Sequence, residues 1–140
     1  MRTQTAQLKA LGQVPLFAGL SKADLKFILK QLNEETFSQG RNIIEEEQPG
    51  ARFFVILEGT VNVVVGGKSR KSLGPGAYFG ELALLDGGSR TATVVAATPV
   101  VTLSLTSWNF LSTLQENWPV TKKILASMAR RIRELDKSHN

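Results

Sequence analysis

The stretch Gly80-Glu81-Leu82-Ala83-Leu84-Leu85-Asp86-Gly87-Gly88-Ser89-Arg90-Thr91-Ala92-Thr93-Val94 sets one acid and one arginine nine residues apart, around a short helix that opens on glycine. A helix start presents backbone N–H groups with no internal partner, and the aligned peptide dipoles favour an anion there. Gly80 lets a ligand approach the main chain closely, and Arg90 can fork two hydrogen bonds onto phosphate oxygens. Glu81 would repel a phosphate. Its place is explained by hydroxyl donors, such as those of a ribose, on the far side of the ligand. An acid for the sugar and an arginine for the phosphate together imply a nucleotide.

Outward from this stretch, the chain reads helix, sheet, helix. Leu8 and Leu11 suit a short amphipathic turn before Pro15, and Ser21 with Asp24 forms a capping signal for a helix carrying Leu25, Ile28, Leu29 and Leu32. From about Thr36 to Leu105 the pattern changes to short β-rich runs: Phe53–Leu57, Val61–Val65, Ala92–Val95 and Val100–Leu103. Pro49-Gly50, Glu58-Gly59, Gly66-Gly67 and Gly74-Pro75-Gly76 separate them, and many short strands with glycine turns predict an antiparallel β-roll or jelly-roll barrel. Ser107 then opens a helix with Phe110, Leu111 and Leu114. Pro119 suits the first turn of the last helix, where Val120, Ile124, Met128, Ile132 and Leu135 form one apolar stripe. The expected class is α+β: one domain over residues 1–140, helical over 1–35, β-roll over 36–105 and helical again over 106–137.

Phe79-Gly80-Glu81-Leu82-Ala83-Leu84-Leu85 followed by Arg90-Thr91-Ala92-Thr93-Val94 is similar to the phosphate-binding cassette of cyclic nucleotide-binding domains, here residues 79–94. Such domains occur in the catabolite activator protein, protein kinase regulatory subunits and nucleotide-gated channels. Pro15–Ser21 resembles that family's entry into its first helix, and Gly50, Gly59, Gly74 and Gly76 fall where its barrel turns fall. The resemblance implies that Arg90, Thr91 and the N–H groups of Leu82 and Ala83 hold a cyclic phosphate, while Glu81 and the Gly80 backbone hold the ribose 2′-hydroxyl. It also places Val63 and Lys71 on strands flanking the base, with Ile132, Arg133 or Leu135 capping it from the last helix. Those three equally suit an amphipathic helix packed on the roll. A threonine at position 91 is associated in the family with tolerance of cGMP, so cAMP and cGMP both stay open. Ser89 stands where many members place proline and Ala77 where an acid is frequent. Neither change touches a contact residue.

Composition excludes much else. With 140 residues, 42% hydrophobic and 21% charged, the chain is long enough to bury its own core. No apolar run approaches the ~18 residues of a membrane span and no signal-like start is present, so a cytoplasmic protein without membrane insertion is expected. The absence of cysteine removes disulfides, zinc ribbons and thiol catalysis, and a single histidine, His139 beside the C-terminal residue, argues against a His-ligated metal site and histidine acid–base chemistry. No enzyme activity, metal or cofactor is expected beyond a bound cyclic nucleotide.

The net charge is +5, and residues 122–137 carry six basic side chains against two acidic ones, a local +4. A solvated helix face accounts for that count. The expected function is a sensor or regulatory module that signals through movement of its last helix. The alternative is the sensor half of a transcription regulator whose DNA-binding domain lies outside this sequence, so that no nucleic-acid contact comes from this chain itself. The effector is not identified by the sequence, and the apolar stripe is compatible with a homodimer.

Overall fold

The computed structural model describes residues 3–45, 52–80, 83–86 and 92–139, the side chains at 86, 138 and 139 apart. At the N-terminus, Thr3 caps helix α1 (Gln4–Gly12), its hydroxyl accepting from the Ala6 N–H at 3.1 Å. A 3-10 turn (Pro15–Phe17) leads into α2 (Lys22–Leu29), whose start is a full capping box. The Asp24 N–H donates to Ser21 Oγ at 3.2 Å, and the Ser21 N–H donates to Asp24 Oδ2 at 3.0 Å. The helix ends at Leu29, so Leu32 falls beyond it and packs against the core from outside the element.

Eight strands follow: β1 (Asn33–Phe37), β2 (Asn42–Ile44), β3 (Arg52–Glu58), β4 (Val61–Val65), β5 (Lys68–Leu73), β6 (Tyr78–Phe79), β7 (Thr93–Ala96) and β8 (Val100–Thr106). They form two antiparallel four-stranded sheets, in the orders β1-β8-β3-β6 and β2-β7-β4-β5. The roll expected from the sequence is present, but the two sheets do not close into a barrel. Each keeps two edge strands.

β3 explains how the layers stack. Successive side chains of a strand point to opposite faces. Phe53 and Val55 accordingly join a core with the helical residues Leu11, Phe17, Ile28, Phe110 and Ile124, while Phe54 and Ile56 pack between the sheets with Ile44, Val61, Val94 and Val100. Burial on both faces is why the run Phe53–Leu57 is continuously apolar instead of alternating. Phe17 meets Phe53 and Phe110 edge-on, at centroid distances of 6.0 and 6.3 Å, and ties the 3-10 turn to sheet and C-terminal helix together.

Between β6 and β7 lies α3 (Ala83–Asp86), whose Leu84 is fully buried. The first residue of α4 (Ser107–Glu116), Ser107, donates its hydroxyl to the Leu84 carbonyl at 2.8 Å, while the cap of α4 is Thr106, accepting from the Asn109 N–H. After Asn117 comes α5 (Trp118–His139). Its first half is seated: Val120 and Ile124 are buried, Ser127 donates to the Pro15 carbonyl at 2.9 Å, and Lys123 pairs with Asp24 at 2.6 Å. The second half diverges from the body, leaving Ile132 and Leu135 59% and 62% exposed. The single apolar stripe in the sequence therefore divides into a buried part and an exposed part.

Candidate ligand-binding pocket

A cavity of about 530 Å³ opens on the sheet β2-β7-β4-β5 and on the end of β6. Its lining is assembled from Ile44 of β2, Val63 of β4, Lys71 and Leu73 of β5, Ala77 to Gly80 on and around β6, and Ala92 and Val94 on the approach to and within β7. These side chains are mostly apolar, and among the described lining residues Lys71 carries the charge. An ammonium offers donors only, so it suits acceptor atoms on a ligand edge.

Val63 and Lys71 face each other as cross-strand partners, and a register shift follows between Val63 and Val64. The family resemblance implies that both lie on strands flanking a bound base, and both line this cavity. Gly80 also lines it, with φ of 84°, in the left-handed region that side chains rarely adopt. Directly before it, Phe79 stacks on Phe54 at 5.1 Å between centroids and 21° between planes. The wall of the pocket thus continues into the packing between the sheets.

The stretch that carries the proposed chemistry leaves the described structure at pocket-lining Gly80 and returns at pocket-lining Ala92, with α3 between. Glu81, Leu82, Arg90 and Thr91 lie outside the described residues. Ala83 is described, as the half-buried first residue of α3. Ile132, Arg133 and Leu135 are exposed on the diverging half of α5 and contribute nothing to the lining.

Phe79 and Val94 bound the quoted cassette but were given no contact role, and Ile44, Leu73 and Tyr78 also line the pocket without having been assigned to the site from the sequence. Alternation was a usable signal for two of them: Leu73 lies two residues from Lys71, and Val94 two from Ala92, so each shares its neighbour's face. Ile44 had no such signal. It arrives through pairing of β2 with β7, a contact across about fifty residues of sequence.

Among the described residues no group of His, Asp and Glu side chains could hold a metal ion, and no helix is long and apolar enough to cross a membrane. The chain contains no cysteine.

An open two-sheet roll capped by helices, with an apolar pocket beside a glycine-led connection, defines a ligand-binding module. Residues 34–117 match the cyclic nucleotide-binding domain family, and this chain belongs to it. It is 45% identical over 97 residues to a cyclic nucleotide-gated potassium channel of Mesorhizobium japonicum, covering 69% of this chain and 27% of the channel. It is 32% identical over 127 residues to the cyclic AMP receptor protein of Thermus thermophilus, covering 87% of this chain and 59% of that protein. These relatives are a channel and a receptor, and this chain spans less than two thirds of the length of either. Among solved structures, the N-terminal domain of a transcriptional regulator from Streptomyces coelicolor superposes with a TM-score of 0.86 at 31% identity, covering 91% of this chain and 95% of that one.

Proposed function

We propose that this chain captures cAMP or cGMP and reports the capture through α5, with no bond made or broken. The observation that carries the proposal is the pocket itself. Its lining includes Gly80 and Ala92, the two described residues that bracket the acid–arginine stretch, together with Val63 and Lys71. At about 530 Å³ it lies within the range of small-molecule sites, roughly 300 to 1,000 Å³.

In this assignment Arg90, Thr91 and the N–H groups of Leu82 and Ala83 hold the cyclic phosphate. Glu81 and the Gly80 backbone hold the ribose 2′-hydroxyl, and Val63 and Lys71 flank the base. Ile132, Arg133 and Leu135 reach the base only after the exposed half of α5 swings toward the pocket. A ligand drives such a movement only through contacts that it gains in the closed state, and the exposed apolar side chain of Ile132 would supply one.

The module is assigned to the cytoplasm, with its effector either a further domain or a separate protein, and pairing of two copies through α5 is compatible with the same scheme. A second assignment, the sensor half of a transcription regulator, is favoured by the likeness to the Streptomyces regulator domain over nearly the whole of that chain.

Calorimetric titration of the chain with cAMP and cGMP, beside Glu81→Ala and Arg90→Ala, tests the assignment. Micromolar or tighter binding is expected, and Arg90→Ala should cost about 2 to 5 kcal/mol of it, as for removal of one partner of a desolvated charged contact. A folded wild-type chain that is saturated by neither nucleotide overturns the proposal.

A further inference from the structure

Arg52 has no place among the ligand contacts proposed above, yet its half-buried side chain is tied to two other strands of its own sheet. It opens β3, and its guanidinium pairs with the Glu35 carboxylate of β1 and donates to Ser104 Oγ of β8 at 3.3 Å. Ser104 is 2% exposed and donates its own hydroxyl to the same Glu35 oxygen, so three strands are joined at one point. The guanidinium carbon also lies 4.9 Å from the centroid of the Phe54 ring, two residues along on the same face of β3. Phe54 in turn stacks on Phe79, its cross-strand partner, at 5.1 Å.

This run of contacts ends at the pocket. Phe79 lines it, and Gly80 follows directly at the entrance to the acid–arginine stretch. β6 is only two residues long and sits at the edge of its sheet, pairing through Phe54 with Phe79 and Val55 with Tyr78. The pairing continues on the Gly76 side, where the Ile56 N–H donates to the Ala77 carbonyl at 2.9 Å and the Gly76 N–H to the Ile56 carbonyl at 2.8 Å. At the other end, where the chain passes into Gly80, the stack of Phe79 on Phe54 adds a side-chain contact that holds the wall.

We propose that Arg52 is a positioning residue for ligand binding: anchored by Glu35 and Ser104, it holds Phe54 and through it sets Phe79 and Gly80 at the pocket entrance. The inference rests on the nucleotide assignment for its effect on affinity, but not for its effect on the wall. An ordinary stabilising role, tying β1 and β8 to β3, would lower stability and leave the pocket unchanged.

The test compares wild type, Arg52→Met, Phe79→Ala and the double variant by three measurements: cAMP titration, urea unfolding, and backbone amide resonances of the ligand-free chain. Methionine keeps much of the apolar stem and removes the charge. Arg52→Met should shift the Phe79 and Gly80 amides and weaken cAMP binding about fivefold to tenfold, the scale of one cation–π contact. In the Phe79→Ala background the same change should cost less than about twofold, since the two residues act through one contact. Arg52→Lys retains a partner for Glu35 while withdrawing the flat guanidinium from Phe54. It should shift the same amides even if Arg52→Met fails to fold.

Unmoved Phe79 and Gly80 amides in a folded Arg52 variant overturn the inference, as does an equal loss of affinity in both backgrounds. A wild-type chain that binds no nucleotide overturns the functional assignment instead, and the amide shifts still decide the role of Arg52.

Discussion

Gly59 and Gly40 form a matched pair that separates backbone strain from steric collision. Their φ angles are 88° and 86°, so alanine at either position is forced into the left-handed region at about 1 to 2 kcal/mol. At Gly40 an added methyl meets nothing within 4 Å. At Gly59 it would lie 2.2 Å from the Pro99 carbonyl oxygen, 2.9 Å from Thr98 Oγ1 and 3.0 Å from Val100 Cα. Moving the first of these from 2.2 Å to an ordinary 3.4 Å displaces backbone by about 1 Å. That backbone is held where it is by the Ala97 N–H on the Thr60 carbonyl at 2.9 Å and by the Thr60 N–H on Thr98 Oγ1 at 3.0 Å. Weakening two hydrogen bonds adds about 1 kcal/mol each. Gly40→Ala should therefore cost about 1 to 2 kcal/mol and Gly59→Ala about 3 to 4 kcal/mol. Urea unfolding at neutral pH measures both, and equal losses, within about 0.5 kcal/mol, would refute the collision at the β3–β4 turn.

Two further outcomes follow from contacts between the helices. The Asp24 carboxyl lies below its ordinary pKa, because Lys123 and then the Ser21 N–H hydrogen-bond to its charged form. Its contribution is therefore present above the unfolded-state value, near 3.8, and is lost as pH falls through the lower folded value. Asp24→Asn should cost about 1 kcal/mol at neutral pH and flatten the fall in stability below pH ~4, and parallel wild-type and variant curves would contradict this. Ser107→Ala removes the donor to the Leu84 carbonyl, which should cost about 1 kcal/mol and speed amide exchange across α3 more than in β3. Unchanged exchange at Ala83 to Asp86 would show that this bond does not hold α3 to α4.

What the sequence determined by itself was the local grammar. Ser21 with Asp24, and Pro119, stand at helix starts because capping chemistry acts over three or four residues. The strands over Phe53, Val61, Thr93 and Val100 were legible from β-branched and aromatic runs between turn glycines, four of which, Gly59, Gly66, Gly67 and Gly76, have positive φ. The acid–arginine stretch was picked out by residue types at a short, fixed spacing, while Glu81 and Arg90 themselves lie outside the described residues.

The tertiary structure alone decided which strands pair and what they enclose. Asn33–Phe37 and Lys68–Leu73 are polar segments that no hydrophobic pattern marks. They become strands because β8 and β4 offer them unpaired backbone edges. The division into two open sheets, the arrival of Ile44 in the pocket, and the meeting of Arg52 with Glu35 and Ser104 all depend on contacts between distant parts of the chain. So does the split of the α5 stripe, whose residues share one period but only half of which find a surface to cover. A repeat in sequence specifies which face of an element is apolar. Only the packed fold supplies the partner that buries it.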